Sequence, residues 1–245
     1  AAFLLGAILF LGLFAWLSRD LPDPNSLTMR EVPQSTKIYD RTEEHLLYEI
    51  SGDEKRTLVT LDQIPQYVID ATVTAEDRKF YDHSGIDIKG IIRAFFSNVT
   101  SLDPTGQGAS TITQQLVKNA ILTNEKTITR KVKEIVLAIA LERRYTKEEI
   151  LQLYLNEIAY GSTNYGIESA ALAYFEKRAE ELTLAESATL AALPKAPSTF
   201  LNDPERLLAR RDWILQSMAD IGYINQQEAD EAKSQDTSVT LSLTD

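Results

Sequence analysis

The chain has 245 residues, of which 44% are hydrophobic, and its formal net charge at pH 7 is -11. A chain of this length can bury one sizeable core, or form a main lobe with a smaller appendage. The sequence contains no cysteine, which excludes disulfides, thiolate metal sites and a cysteine nucleophile, and its acidic balance argues against general binding to nucleic acid.

The chain begins with an uncharged, strongly apolar run, AAFLLGAILFLGLFAWLS, at residues 1–18. A helix of about 18 residues at about 1.5 Å per residue spans roughly 27 Å, close to the hydrocarbon thickness of a bilayer. Trp16 suits the membrane interface, and Arg19 and Asp20 mark the exit from it. We therefore predict a transmembrane helix over residues 1–18, with a buried core helix and a cleavable signal peptide as the alternatives.

Residues 19–60 have the pattern of a linker followed by a short β-hairpin. The run LPDPN, at residues 21–25, contains two prolines that prevent continuation of a helix. The strand-like runs STKIYD and HLLYEI flank a polar turn at residues 41–44. We therefore predict a small hairpin after the linker.

From Leu61 onward the apolar residues recur at the i, i+3, i+4 spacing of amphipathic helices. Thr146 with Glu149, and Thr183 with Glu186, have the capping-box pattern of a helix start. The body of the chain is therefore predicted to be mainly α. The runs with this spacing are IPQYVIDATVTAED, IDIKGIIRAFFSN, STITQQLVKNAIL, TITRKVKEIVLAIALERRY, TKEEILQLYLNEI, GIESAALAYF and TLAESATLAAL.

A carboxylate at the end of a predicted helix is the first candidate catalytic group. Glu76 follows an apolar helix face in the run TAEDRKFYDHSGID. Semi-apolar surroundings can raise the pKa of such a carboxyl toward the range of a general base. The alternative is a solvated helix terminus with a surface pair between Asp77 and Arg78. The candidate binding residues of this run are Asp77, Arg78, Phe80 and His83.

A glycine-rich loop runs into a predicted helix in GQGASTITQQLVKN, at residues 106–119. Ser110, Gln114 and Lys118 stand at i, i+4 and i+8, which would place a hydroxyl, an amide and an ammonium on one helix face. At the positive end of a helix, such a row suits a diphosphate and sugar hydroxyls. An ordinary capped amphipathic helix is the alternative. The candidate binding residues of this run are Gly108, Ser110, Thr111, Gln114, Gln115 and Lys118.

A helix with a basic start and an apolar end is predicted in TITRKVKEIVLAIALERR, at residues 127–144. Glu134 stands where the polar part gives way to IVLAIAL, which is apolar all round and therefore expected to be buried. The 100° spacing of helical residues places Arg130 beside Glu134, opposite a stripe of isoleucine and valine, although a surface ion pair is the alternative. Residues 118–147 hold eight Lys or Arg against three Glu, and this local positive charge indicates an anionic ligand.

Three later runs contribute further candidates. In EEILQLYLNEIAYGSTNYGIESAA an aromatic and an amide precede a glycine turn, although core helices around a loop would give the same pattern. Residues 190–204 are punctuated by proline and are predicted to be a structural loop. Arg210 and Arg211, which open RRDWIL, either join the anion site or are solvated. The candidate binding residues of these runs are Tyr154, Asn156, Gly161 and Arg210.

Five runs occur in one order over about residues 61–218: EDRKFYDHSGID, GASTITQQLVKN, RKVKE, ILQLYLNEIAYG and RRDWIL. Together they resemble the peptidoglycan glycosyltransferase family, carbohydrate-enzyme family 51, of class A penicillin-binding proteins and monofunctional transglycosylases. The resemblance implies a mainly α, lysozyme-like main lobe over residues 61–235, with a membrane-proximal jaw at about 88–107. It also implies a fragment of a bifunctional protein, with residues 236–245 as a linker toward a penicillin-binding domain.

The resemblance implies lipid II as the substrate, polymerised into glycan strands with inversion and release of undecaprenyl diphosphate. By motif, Glu76 would be the general base that takes a proton from the acceptor 4-hydroxyl, and Glu134 the second catalytic glutamate, on the donor side. A divalent metal, Mg²⁺ or Mn²⁺, would assist there, with Glu134 as a ligand. Only two histidines, His45 and His83, are present and they are far apart in sequence, so a histidine metal cage or a Ser-His-Asp triad is poorly supported. The residues that would hold the donor diphosphate are Ser110, Gln114, Lys118, Arg130 and Lys131.

The anchor and the substrate imply a single-pass protein of the bacterial cytoplasmic membrane with its catalytic domain on the extracytoplasmic side. IIRAFF, at residues 91–96, would dip into the bilayer. The expected partners are lipid II, the growing glycan strand, the bilayer and other cell-wall synthesis proteins, without nucleic acid. Two alternatives stay open. A lytic transglycosylase or lysozyme-like hydrolase has no diphosphate to hold, and a non-catalytic membrane-anchored scaffold would need neither glutamate.

Overall fold

The structure is a computed structural model that describes residues 35–39, 41–42, 46–50, 54–91, 110–122, 127–161 and 163–237. The predictions for the transmembrane helix, for most of the jaw and for Gly108 lie outside these residues. Within the described ranges, no helix combines the length and the apolarity that crossing a bilayer requires.

Helices dominate the described residues, as the apolar spacing of the sequence predicts. Residues 88–91 are helical. The helices that lie wholly within the described ranges are α1 Gln66–Glu76, α2 Ile112–Ala120, α3 Ile128–Glu142, α4 Lys147–Glu157, α5 Ile167–Phe175, α6 Leu184–Ala192, α7 Pro197–Leu201, α8 Pro204–Asp220 and α9 Gln226–Ser234. Single 3-10 turns lie at Leu61–Gln63, Phe80–Asp82, Ala179–Glu181 and Leu193–Lys195.

Short strands form two small sheets in the described part of the chain. The first pairs two strands antiparallel, with Thr36 opposite Ile50, as the predicted hairpin requires. In the second sheet the middle strand pairs parallel with one neighbour and antiparallel with the other. The sequence does not predict this sheet, because strands of two or three residues are too short to show alternation. The strands are β1 Thr36–Tyr39, β2 Leu46–Ile50, β3 Lys55–Arg56, β4 Ala159–Gly161 and β5 Asn164–Tyr165, with β5 in the middle of the second sheet.

Reciprocal side-chain caps begin two of the predicted helices. At the start of α4, Oε2 of Glu149 accepts from the N–H of Thr146 at 2.7 Å, and Thr146 Oγ1 accepts from the N–H of Glu149 at 3.2 Å. The same exchange between Thr183 and Glu186 begins α6. Both predicted capping boxes are therefore confirmed. They satisfy backbone donors that the helix itself leaves without acceptors.

The described residues form two compact units. The first unit lies within Lys79–Ile150, and the second combines residues up to Arg78 with those from Leu151 onward. In the first unit α2 packs on α3. In the second, α1, α6 and α8 pack on one another and α9 packs on α8. The fully buried apolar side chains of the second unit's helices include Val73, Leu190, Ile214, Leu215 and Met218.

Arg211 joins α8 to the residues that follow α9. Its side chain is buried, Nη2 donates to the carbonyl of Lys233 at 2.9 Å, and Nη1 donates to the carbonyl of Gln235 at 2.9 Å and to Thr237 Oγ1 at 2.7 Å. Thr189 of α6 donates its hydroxyl to the same Thr237 oxygen at 3.1 Å. The suggestion that Arg211 serves an anion site is therefore wrong, because its guanidinium fixes the end of the described chain onto α6 and α8.

The prediction of a loop at residues 190–204 is also wrong, because this run contains a 3-10 turn and α7 and leads directly into α8. Pro197 and Pro204 are each the first residue of a helix. Proline is tolerated there because its missing N–H would have no acceptor in any case. No helix was predicted at α9, because its buried positions are only Ala229 and Ala232 and it therefore shows little apolar periodicity.

Candidate active site

Glu76 is the last residue of α1, immediately after the buried Ala75. The helix ends because Asp77 leaves helical geometry, with φ -159° and ψ 79°, while its N–H still donates to the carbonyl of Val73 at 2.9 Å. Glu76 is partly exposed, but its Oε1 is buried. The predicted catalytic carboxylate therefore lies at the end of a helix, where the side chain is partly exposed and one of its oxygens is buried.

Two buried tyrosines lie within the electrostatic reach of Glu76. Tyr154 of α4 and Tyr160 of β4 are each 1% exposed. Burial raises the pKa of both phenols, and the negative charge of Glu76 raises them further. Both therefore stay neutral near pH 7 and add no charge to the surroundings of Glu76. Tyr154 was predicted to bind substrate, but its side chain is buried and interacts with the charge of Glu76. The same holds for Tyr160, which sequence reasoning missed although it lies within ILQLYLNEIAYG.

Two arginines of the second unit meet on one indole ring. The guanidinium carbon of Arg210 lies 4.2 Å from the Trp213 ring centroid, and that of Arg78 lies 4.9 Å from it. Arg210 Nη2 also donates to the carbonyl of Ala75 at 3.1 Å, and Arg78 Nη2 donates to Ser217 Oγ at 2.6 Å. Burial lowers the pKa of Arg210, whereas the charge of Glu76 raises it and that of Arg78 lowers it. The arrangement places positive charge beside the end of α1.

Asn156 and Gly161 have structural roles, and the structure does not support their predicted contact with substrate. The side chain of Asn156, which is 8% exposed, accepts from the N–H of Val59 at 2.9 Å and donates to its carbonyl at 2.8 Å. The Asn156 amide thus makes with the Val59 backbone the same pair of hydrogen bonds that a residue on a neighbouring β-strand would make. Gly161 has φ +117°, and a Cβ there would lie 2.5 Å from Leu201 Cδ1. Only glycine fits this turn without rearrangement.

In the first unit, Lys131 forms the centre of a small polar cluster with Ser110 and Glu134, which we call the Lys131 cluster. Lys131 Nζ donates to Ser110 Oγ at 2.8 Å and forms an ion pair with the Glu134 carboxylate. The Lys131 side chain is 43% exposed, whereas that of Glu134 is 3% exposed. The sequence paired Glu134 with Arg130, but the structure pairs it with Lys131. Arg130 is partly buried, and its Nε has no hydrogen-bond partner among the described residues.

The buried face of α3 differs from the predicted one. Glu134 shares that face with Leu137, Ala138 and Leu141, which are all at most 1% exposed. These residues follow one another at i, i+3, i+4 and i+7, the spacing of a single helix face. The predicted isoleucine and valine stripe is only partly buried where it is described. The run IVLAIAL is therefore not buried all round, and Glu134 lies on the core side of the helix.

The predicted polar row along α2 is wrong at two of its three positions. Ser110 precedes the helix, whose N-cap is Thr111. Gln114 is 0% exposed, and its Oε1 accepts from the N–H of Thr111 at 2.9 Å, so the amide caps the helix. The Nε2 of Gln114 has no hydrogen-bond partner among the described residues. Gln115 and Lys118, also on α2, are partly exposed.

A second ion pair of the first unit supports the residues after the α1 turn. Lys147 Nζ lies 2.7 Å from Glu142, donates to the carbonyl of His83 at 2.7 Å and sits 4.4 Å from the centroid of the Phe80 ring. Thr113 donates its hydroxyl to Glu142 at 2.5 Å. Phe80 is 0% exposed, so its predicted contact with substrate is replaced by packing. Lys147, part of the basic excess in the sequence, is committed to Glu142.

Gly85 closes the turn that carries His83. Its φ is +90°, and a Cβ there would lie 2.8 Å from the carbonyl oxygen of Ala138 on α3. Its N–H donates to His83 Nδ1 at 3.2 Å, and its carbonyl accepts from the hydroxyl of Thr111 at 2.8 Å. Thr111 is thus also a structural residue. His83 keeps partial exposure, and its imidazole is oriented by this turn.

The described residues do not fit a metal held by protein ligands alone. Nowhere in the described ranges do three His, Asp or Glu side chains come together as a metal-binding group. The Glu134 carboxylate is already neutralised by Lys131. Mg²⁺ is usually bound by one or two carboxylates together with substrate phosphates. The predicted Mg²⁺ or Mn²⁺, held mainly by a substrate diphosphate, stays a prediction.

Comparison with known proteins places the chain in a family. Residues 43–219 match the family model described as Transglycosylase. Penicillin-binding protein 1A of Aquifex aeolicus (strain VF5) is 46% identical over 229 residues, which are 91% of this chain and 31% of that protein. Penicillin-binding protein 1A of Escherichia coli (strain K12) is 44% identical over 238 residues, 95% of this chain and 27% of that protein. A crystal structure of penicillin-binding protein 1A from Haemophilus influenzae matches with a TM-score of 0.48 and 27% identity, over 86% of this chain and 22% of that one.

The chain belongs to the transglycosylase family. The resemblance to the transglycosylase domain of class A penicillin-binding proteins, which five runs of the sequence predicted, is thereby confirmed. The chain spans 31% of the length of the Aquifex relative and 27% of that of the Escherichia coli relative.

Proposed function

We propose that this chain is a peptidoglycan glycosyltransferase that polymerises lipid II with inversion at the donor sugar and releases undecaprenyl diphosphate. The observation that supports it best is the setting of Glu76, a partly exposed carboxylate at a helix end, near two neutral tyrosines, in a chain of the transglycosylase family. Such a carboxylate suits a general base.

On the acceptor side, Glu76 takes the proton of the sugar 4-hydroxyl as its oxygen bonds to C1 of the donor. The bond between C1 and the diphosphate breaks in the same step, so no covalent enzyme intermediate is needed. A base must be ionised before it can accept a proton. The positive charges of Arg78 and Arg210 favour the ionised form of a nearby carboxylate, which is why we assign these arginines to the support of Glu76.

On the donor side, the leaving diphosphate gains negative charge that cations must stabilise. The Lys131 side chain is 43% exposed, and its ammonium forms an ion pair with the buried Glu134. We therefore assign Glu134 the role of holding Lys131 toward the diphosphate. The partly exposed side chains of Gln115, Lys118 and Arg130 complete the proposed donor site.

Several further features belong to this proposal. They are a lysozyme-like main lobe with a membrane-proximal jaw, anchoring of the chain in the bacterial cytoplasmic membrane through residues 1–18, and an extracytoplasmic catalytic domain. Anchoring would confine the enzyme to the surface where its lipid-linked substrate lies. Lipid II, the growing strand and other cell-wall synthesis proteins would be its partners.

Purified protein incubated with lipid II tests the central assignment. Glu76→Gln keeps the shape of the side chain but removes the base, so we expect polymerisation to fall by about 10²-fold or more while lipid II still binds. Glu205→Gln, at an exposed acid early in α8, is the matched control and should polymerise normally. Near-normal turnover by the Glu76 variant would refute the assignment.

The rival functions predict different products. A lytic transglycosylase or lysozyme-like hydrolase would cleave intact glycan strands and leave lipid II monomeric. A scaffold would act on neither, and replacing Glu76 or Glu134 would leave its partner binding unchanged. Separate incubations with lipid II and with intact glycan therefore distinguish the three.

A further inference from the structure

One face of α8 contacts the end of α1 on both sides of Glu76. Arg210 Nη2 donates to the carbonyl of Ala75, one residue before Glu76, at 3.1 Å. Arg78, two residues after Glu76, donates to Ser217 Oγ at 2.6 Å. The spacing i, i+3, i+7 places the contacting side chains on a single helix face. This face, which we call the α8 bracket, consists of Arg210, Trp213 and Ser217.

The indole ring of Trp213 contacts two positively charged side chains. The guanidinium carbons of Arg210 and Arg78 lie 4.2 Å and 4.9 Å from its ring centroid. The two cations repel each other, and burial further disfavours the charge of Arg210, whose pKa is lowered by burial first and also by the charge of Arg78. The negative face of an indole attracts a guanidinium and partly offsets both penalties. A side chain without a ring offers no such compensation.

The charged groups around Glu76 come from several elements. Glu76 interacts electrostatically with Arg210, which is cationic, and with Tyr154 and Tyr160, which are neutral. Asp77 and Arg78, which follow Glu76 in the chain, are acidic and cationic. A change that loosens the arginines therefore lowers the positive potential at Glu76 and favours its protonated form. These groups are Asp77 and Arg78 after α1, Tyr154 on α4, Tyr160 on β4 and Arg210 on α8.

We propose that Trp213 is a positioning residue for glycosyl transfer, whose indole fixes Arg78 and Arg210 beside Glu76 and so keeps the carboxylate oriented and ionised. The inference rests on the proposed role of Glu76 as the base. Trp213 acts through the two arginines and makes no contact with the reacting atoms.

The pH dependence of lipid II polymerisation tests the proposal. Trp213→Leu should lower kcat about tenfold near pH 7, the size expected when a desolvated cation–π contact is lost. It should leave KM nearly unchanged and move the acidic limb of the rate profile to higher pH, because the base then ionises less readily. Trp213→Phe keeps a ring and should retain the wild-type limb. Tyr67→Leu, at an exposed aromatic in the first turn of α1, is the control and should behave as wild type.

Two results would overturn the proposal: a Trp213→Leu enzyme with wild-type kcat and acidic limb, or a Trp213→Phe enzyme as impaired as the leucine variant. Thermal unfolding verifies that each variant is folded. A readout without substrate separates this inference from the proposed function. Trp213→Leu and Arg78→Met should be non-additive in a double-mutant cycle on unfolding free energy, and strict additivity contradicts the bracket. If the Trp213 and Arg78 substitutions are coupled but the wild-type protein does not polymerise lipid II, the proposed function is refuted and the contact between Trp213 and Arg78 stands.

Discussion

Replacing Lys131 by methionine isolates the electrostatic role of the Lys131 cluster. Methionine retains much of the apolar stem of lysine but removes the cation, which leaves the Glu134 carboxylate, 3% exposed, without the ammonium that neutralises it. Removing one partner of a fully buried ion pair costs about 3–5 kcal/mol. Because Lys131 is 43% exposed, water already screens the pair, and we expect a loss of about 1–3 kcal/mol in the free energy of unfolding.

The variant Glu134→Gln tests whether this loss of unfolding free energy comes from the Glu134 carboxylate, which Lys131→Met leaves without a counter-charge. Glutamine has the same shape without the charge, and the Lys131 ammonium that it leaves can turn toward water. The double variant should therefore be at least as stable as Lys131→Met alone. Urea unfolding followed by circular dichroism measures all three free energies. A double variant that loses the sum of the two single effects would show that the cluster has no coupling, and the argument for Glu134 as the anchor of Lys131 would fail.

Three further predictions concern the supporting structure. Gly85→Ala should lower the unfolding free energy by about 1–3 kcal/mol, since φ is +90° and the new Cβ would meet the Ala138 carbonyl at 2.8 Å; an unchanged melting temperature would contradict this. Burial raises the pKa of Tyr154, so its contribution to stability is constant below about pH 10 and declines above it, as the unfolded phenol ionises first. Tyr154→Phe should reduce that alkaline decline in urea unfolding, whereas Tyr223→Phe, at an exposed tyrosine, should not. Thr146→Ala should cost about 1 kcal/mol through loss of the α4 cap, and Thr146→Ser should restore it.

The helices were predictable where the signal is local. Apolar spacing and the threonine–glutamate pairs at Thr146 and Thr183 depend only on neighbours within one or two turns, and they locate α1 to α6 closely. The signal fails where a helix is short, opens on proline or buries little, as for α7 and α9. Short strands such as β3 also escape, since pairing with a distant segment defines them.

The site was predictable in its residue types but not in their partners. On a helix, Glu134 can reach Lys131 at i−3 or Arg130 at i−4 equally well. Ser110, which lies far away in sequence, also binds the Lys131 ammonium. Gln114 shows the same limit, because an amide suited to a ligand also suits a helix cap, and only the structure shows that it serves Thr111. The sequence therefore identified Glu76 and the basic region as candidates, whereas the roles of Trp213 and Tyr160 required tertiary contacts.

The contacts of Arg211 set a practical boundary for expressing this domain. A chain shortened to end before Lys233 would remove the three acceptors at positions 233, 235 and 237 and leave a buried guanidinium to find others. Arg211 directly follows Arg210, whose side chain donates a hydrogen bond to Ala75 at the end of α1. The truncation would therefore disturb α8 one residue away from that contact. Low activity in such a truncated protein would then result from the position of the truncation. Shortened versions should therefore retain Thr237.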